Sequence, residues 1–119
     1  MEIETYRSAW QDWLLGNFQA AEGLYDDNCA FESLGKSSTG KQIRTKNEHF
    51  SWCNDNNLKI HEMRLISASD QHMVWANRFT ADGIDGVMAG LGHEEIDNGK
   101  IVKSIWCRAP APQETYAAL

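Results

Sequence analysis

The dipeptide Asn98-Gly99 constrains this chain more than any other feature. It separates two alternating stretches, 86–96 and 101–108. Asn-Gly is the strongest short hairpin signal, because both central residues of a type I′ turn need positive φ. The turn sets Asp97 opposite Lys100. Stepping outward from it places Glu95 opposite Val102, His93 opposite Ser104 and Leu91 opposite Trp106 on one face. The other face receives Ile96 with Ile101, Glu94 with Lys103, and Gly92 with Ile105. A bulge in the hairpin would reverse this facing and bring Glu94 inside in place of His93.

Two more segments, 58–67 and 72–81, alternate in the same way, and Ser69-Asp70 and Asp82-Gly83 supply the remaining turns. The C-terminal half therefore reads as a four-stranded antiparallel meander. Ahead of it, Ile3, Tyr6, Trp10, Trp13 and Leu14 recur at helical spacing and Gly16 ends that run. Asn17 caps a second stripe of Phe18, Ala21, Leu24 and Tyr25, which stops at Asp26, Asp27 and Asn28. A short strand follows at 29–34, then a loop at 35–38. Thr39 with Gln42 fits a capping box opening a third helix through Ile43, Phe50 and Cys53. Both faces of the expected sheet are half apolar, so one is covered by the helices and the other is expected to meet a second subunit.

At 119 residues this is one domain, expected over 1–109, with a loose tail at 110–119 carrying Pro110 and Pro112. Seventeen acidic residues against eleven basic ones give a net charge of -6, which disfavours a grip on nucleic acid. The basic cluster Lys36, Lys41, Arg44 and Lys46 reads as a solvated helix face. The longest apolar runs span four residues, 73–76 and 116–119, far below the roughly 20 that cross a bilayer. The N-terminal stretch has acids where a signal peptide carries bases, so the expected location is the cytoplasm, without membrane contact. Cys29, Cys53 and Cys107 are odd in number and widely spaced, which points to reduced thiols and away from a disulfide framework or a zinc site.

The order of elements, with "GNFQAAEGLYDDNCAFE" at 16–32, "TGKQI" at 39–43 and "IDNGKIVKSIW" at 96–106, resembles the nuclear transport factor 2-like superfamily, in its SnoaL-like and steroid delta-isomerase-like branch. The resemblance implies an α+β fold, a cone-shaped cystatin-like roll in which three N-terminal helices pack in a curved, mostly antiparallel sheet around a deep apolar pocket. It also implies a homodimer joined through the outer sheet face. Function does not follow from fold, since the superfamily holds isomerases, cyclases, epoxide hydrolases, dehydratases and non-catalytic binders.

Carried over residue by residue, the known reactions fail. Steroid isomerases have an aspartate base after the first-strand glutamate, where this chain has Glu32 then Ser33. Their oxyanion-binding acid falls at Leu91 or Gly92 here, and their helix-one tyrosine near Ala9. The epoxide hydrolases' arginine matches Arg78, but the acid two residues on is Thr80. The carboxylate common after the last strand of cyclase-like members is absent, because Trp106 runs into Cys107, Arg108 and Ala109.

With the family's usual facing, Met73, Trp75, Asn77 and Phe79 point into the pocket with His93, Ser104 and Trp106. Apolar walls with few polar groups suit a small molecule. Ser33 joins this ligand-binding set. Asn77 among aromatic rings requires a partner or a ligand. His93 is the candidate general acid/base, because an ordinary imidazole exchanges its proton near neutrality, and Glu95 orients it. Glu32 either reaches the pocket mouth as a second acid or is a solvent-facing strand residue. The competing reading of His93 is a structural imidazole bonded to Ser104 or to the backbone, with no catalytic duty. No metal is expected: in "HEEID" the residue four after His93 is Asp97, where a zincin helix has its second histidine. "GKSS" at 35–38 lacks the glycine five residues before Gly35, where Ala30 stands, so it is no phosphate loop.

The expected function is a small-molecule pocket protein, a cofactor-free isomerase, cyclase or dehydratase acting on an apolar carbonyl- or hydroxyl-bearing compound. The alternative is a non-catalytic ligand-binding or dimeric interaction domain.

Overall fold

The computed structural model describes residues 2–35, 37 and 39–111. Three helices, α1 (Ile3–Leu14), α2 (Gln19–Glu22) and α3 (Lys46–Asp55), accompany six strands. The strands are β1 (Tyr25–Ser33), β2 (Ile43–Thr45), β3 (Lys59–Ala68), β4 (His72–Thr80), β5 (Met88–Asp97) and β6 (Lys100–Pro110). They form one mixed sheet in the order β2-β1-β6-β5-β4-β3, with β1 parallel to β6 and every other pair antiparallel. The fold is α+β, and the expected four-stranded meander is its C-terminal part.

Two helix expectations give way to strand. Tyr25 through Asn28, read as the end of the second helix, begin β1, and α2 is a single turn. Ile43–Thr45 pairs with β1, so the third helix starts at Lys46. The capping box that opens it is Thr45 with Glu48: the Thr45 hydroxyl accepts from the Glu48 N–H at 3.1 Å, and the Glu48 carboxylate accepts from the Thr45 N–H at 3.1 Å. Thr39 and Gln42 make no such exchange among the described residues, because the chain past them is already extended toward β2.

The inner face of the sheet carries the core. Tyr6, Ala9, Trp10 and Trp13 form the buried stripe of α1, while Ile3 and Leu14, expected on that face, are exposed at its edges. Trp10 and Trp13 stack with centroids 4.8 Å apart, and Phe50 of α3 meets Phe31 of β1 edge-on at 5.8 Å. Two bulges in the β3–β4 ladder, at Ile60/Glu62 and Leu65/Ser67, add local twist and bend to β3.

Of the expected tail, Pro110 is the last residue of β6, and 112–119 lie outside the described residues, as do Lys36 and Ser38 of the 35–38 loop. Among the described residues no helix is long and apolar enough to cross a membrane.

Candidate functional site

Asn98 and Gly99 do take positive φ, 51° and 73°, and Asp97 pairs with Lys100 and Ile96 with Ile101 as the turn dictates. One step further the ladder shifts. Glu95 pairs with Lys103, leaving Val102 as an extra residue in β6, and beyond it Glu94 pairs with Ser104, His93 with Ile105 and Gly92 with Trp106. The physical reason is burial. Ile96 and Ile101 must both face inward at the turn, and only an extra residue in β6 lets Ser104 and Trp106 face inward as well.

This corrects the expected facing of His93. Its imidazole stands on the outer face, where Nε2 lies 3.2 Å from Nδ1 of His72. Glu95 stands on that face between His72 and Lys103, and Glu32 faces outward beside Ile43 and Ile105. None of the three expected acid/base residues lines the inner cleft. Arg78 is also on the outer face, 3.5 Å from Glu62.

The inner face does hold a cleft. Its interior amounts to about 70 Å³, or about 640 Å³ of empty space when its open mouth is counted. Trp75, Asn77 and Phe79 of β4 line it with Ser104, Trp106 and Arg108 of β6. Trp10, Trp13, Tyr25 and Phe31 close its floor, and Arg44, His49, Trp52 and Cys53 close one end. Met73 is buried in the core beyond the cleft, and Ser33, also buried, donates to the Gly35 carbonyl at 3.3 Å.

Two glycines make the β4 wall possible. Trp75 lies opposite Gly92 and Asn77 opposite Gly90, and a methyl at either glycine would collide with the indole or the amide across from it. Close approach, and not backbone freedom, requires glycine here.

Glu94 is fully buried directly behind this wall. The Tyr6 hydroxyl of α1 donates to its Oε1 at 2.7 Å, and Oε2 has no partner among the described residues. Desolvation pushes its carboxyl up to about 7, against the opposing pull of nearby donors on Tyr25, Tyr6, Ser104 and Trp75. Of these donors only the Tyr6 hydroxyl meets the carboxyl in full hydrogen-bond geometry. Burial and then the charge of Glu94 hold the Tyr6 phenol well above its ordinary range, so Tyr6 is a donor at neutral pH. A tyrosine of the first helix and an acid of the strand before the last hairpin do meet, at Tyr6 and Glu94 and not at Ala9 and Leu91 or Gly92.

Arg44 is the second departure from expectation. It is 4% exposed and sits within the cleft wall, not on a solvated helix face. Its guanidinium lies 5.6 Å from the Trp106 ring centroid, and its Nη2 is 3.0 Å from His49 Nδ1. Arginine only donates, so Nδ1 accepts and the proton of the neutral ring sits on Nε2, facing Cys53 Sγ at 3.8 Å. Burial, then the charge of Arg44, pull the His49 pKa down to about 3, and its ring stacks on Phe31. Lys41 and Lys46 of the same basic cluster are engaged with Glu48 and Asp27.

No family model matches the chain, and no curated protein matches it. Solved structures do. A protein of Mesorhizobium loti, described as a proposed SnoaL-like polyketide cyclase, is similar at 19% identity and a TM-score of 0.67, over 89% of this chain and 98% of that one. An NTF2-like protein of unknown function from Burkholderia xenovorans is similar at 15% identity and 0.61, over 98% and 91%. A proposed isomerase from Rhodopseudomonas palustris is similar at 15% identity and 0.62, over 91% and 89%. The fold is nuclear transport factor 2-like. At these identities the likeness establishes the fold alone, and the site rests on its own residues.

Proposed function

We propose that this nuclear transport factor 2-like chain binds a small planar molecule in its inner cleft and moves a proton on it without a cofactor, as an isomerase, cyclase or dehydratase. The observation that carries the reading is a pair of buried polar atoms on the cleft residues that have no partner among the described residues, Nε1 of Trp106 and Oδ1 of Asn77. Leaving such atoms unpaired costs about 1 to 3 kcal/mol each, so a ligand oxygen that accepts from the indole N–H, or a ligand O–H or N–H that donates to Asn77 Oδ1, gains by the same measure.

Glu94 supplies the chemistry in this reading. A carboxyl that titrates near 7 is divided between acid and base at neutral pH, the condition for proton transfer in either direction. Ser104, opposite Glu94 in the ladder and itself on the cleft wall, carries the proton between carboxyl and ligand. The Trp106 indole N–H then holds the oxygen on which charge develops. The solved structures described as a cyclase and an isomerase support this class of reaction.

The test is uptake of solvent deuterium at the α-carbon of a small cyclic ketone such as 2-tetralone. Exchange above the buffer rate with the parent, and at the buffer rate with Glu94→Gln, is the expected result. Buffer-rate exchange with the parent would leave a non-catalytic binder. One observation favours that second reading: Glu94 lies behind Tyr25, Trp75 and Ser104 and does not line the cleft.

The partner in this reading is a second copy. Val74, Ala76, Leu91, Ile105 and Cys107 form an apolar band on the outer face, with Leu91 49% exposed. A homodimer through that face would cover it.

A further inference from the structure

We infer that the ligand of this cleft is an anion, a planar ring-bearing carboxylate held between Arg44 and Arg108. The inference rests on the cleft reading above but not on catalysis.

The first argument is the balance of donors and acceptors. The cleft is lined by two guanidinium groups and by the Trp106 indole, whose N–H has no partner among the described residues, against one such acceptor, Asn77 Oδ1. Arg44 has five N–H donors, and among the described residues only His49 accepts from it. A neutral ketone or alcohol offers such a wall fewer lone pairs than a carboxylate does. A carboxylate accepts at both oxygens and matches the planar guanidinium fork.

The second argument is charge. Among the described residues neither Arg44 nor Arg108 has a carboxylate at ion-pair distance, although the chain is acidic overall. Glu48, the acid closest along the chain to Arg44, is engaged by Lys41 and by the Thr45 N–H. His49 is neutral and adds no charge. A buried cation is ordinarily paired, and among the described residues the buried Arg44 lacks a counterion. Glu94 does not supply one, since its Oε1 accepts from Tyr6 and neither of its oxygens forms an ion pair with either arginine.

Placement gives the third argument. Trp106 and Arg108 project inward two residues apart on β6, and Arg44 reaches over the same indole from β2. A ring lying along Trp106 and Trp75 would bring a substituent at its edge to both cations.

The experiment compares trans-cinnamate with cinnamyl alcohol, which share a flat skeleton and differ in charge. Binding is followed by NMR on the indole N–H signals of the parent, Arg108→Gln and Arg44→Lys. Cinnamate is expected to bind the parent at least 10-fold more tightly than the alcohol. That preference should fall to a few-fold in Arg108→Gln, whose side chain is only part-buried, so the fold is retained. In Arg44→Lys the charge remains but the fork is lost, and an intermediate preference is expected. Equal affinities of the two probes for the parent would overturn the anion site and leave the cleft standing. A preference unchanged in both variants would also overturn it. If neither probe moves the indole signals, the cleft reading itself fails.

Discussion

Tyr6 and Glu94, 88 residues apart in the chain, meet through a 2.7 Å hydrogen bond in the core. That bond ties the first helix to the strand before the last hairpin and leaves one carboxyl oxygen of Glu94 without a partner among the described residues. Its consequence for stability has a definite sign. The folded-state value near 7 lies above the ordinary 4.5, so the folded chain keeps a proton that the unfolded chain releases. The resulting stabilisation is fully present below pH 4.5 and is lost as pH rises through 7.

Denaturant titrations of the parent and Glu94→Gln between pH 4.5 and 8 isolate this contribution, because other groups cancel in the difference. The stability of the parent relative to the variant should fall by roughly 3 kcal/mol across that range. A difference that does not change with pH would mean that Glu94 titrates as an ordinary glutamate.

His49 acts with the opposite sign. Its folded value of about 3 lies below the ordinary 6.5, so its contribution is present above 6.5 and is lost as pH falls toward 3. His49→Gln, which cannot gain a proton, should therefore be relatively more stable than the parent at pH 4 than at pH 7. Thermal melts at the two pH values check the direction.

Much of the sheet was legible because its signals are local. Positive φ at Asn98 and Gly99, and the alternation of β4, each follow from a few neighbouring residues. The bulge at Val102 was not, because it answers a demand from outside the hairpin: the core needs Ile96, Ile101, Ser104 and Trp106 on one face at once. One residue of register then moved the candidate acid from His93 to Glu94. Arg44 was missed for a different reason. The pattern Thr45-x-x-Glu48 is itself a capping-box signal, and starting the helix there would have left Ile43-Arg44-Thr45 extended, with Arg44 alternating inward. The glycines at 90 and 92 also carried information, since each faces a large β4 side chain that a strand of ordinary residues could not accept.

Gly92→Ala tests that last relationship. The added methyl meets the Trp75 indole, and the bulk of that ring leaves it little room to yield. Overpacking of this kind costs about 1 to 3 kcal/mol. The variant should melt at lower temperature, and the Trp75 indole signal should shift with its displacement from the cleft wall. Parent-like stability with an unmoved indole signal would show that the ring has room the structure does not give it.

The outer face yields a prediction that separates association from the cleft. Leu91 lies between Ala76 and Cys107 of the neighbouring strands, and its side chain points away from the core. Leu91→Glu puts a charge into the middle of the apolar band without touching Trp75, Asn77 or Glu94. If two copies meet through this face, the mirrored contact doubles the substitution and sets like charges near one another across the axis. Sedimentation at micromolar concentration should then show a dimer for the parent and a monomer for Leu91→Glu, with unchanged melting of the isolated fold at high dilution. His93→Ala alters the same face, so it should change association while leaving binding in the cleft intact. A His93→Ala variant that lost cleft binding as a monomer would return the imidazole to the site from which the register removes it.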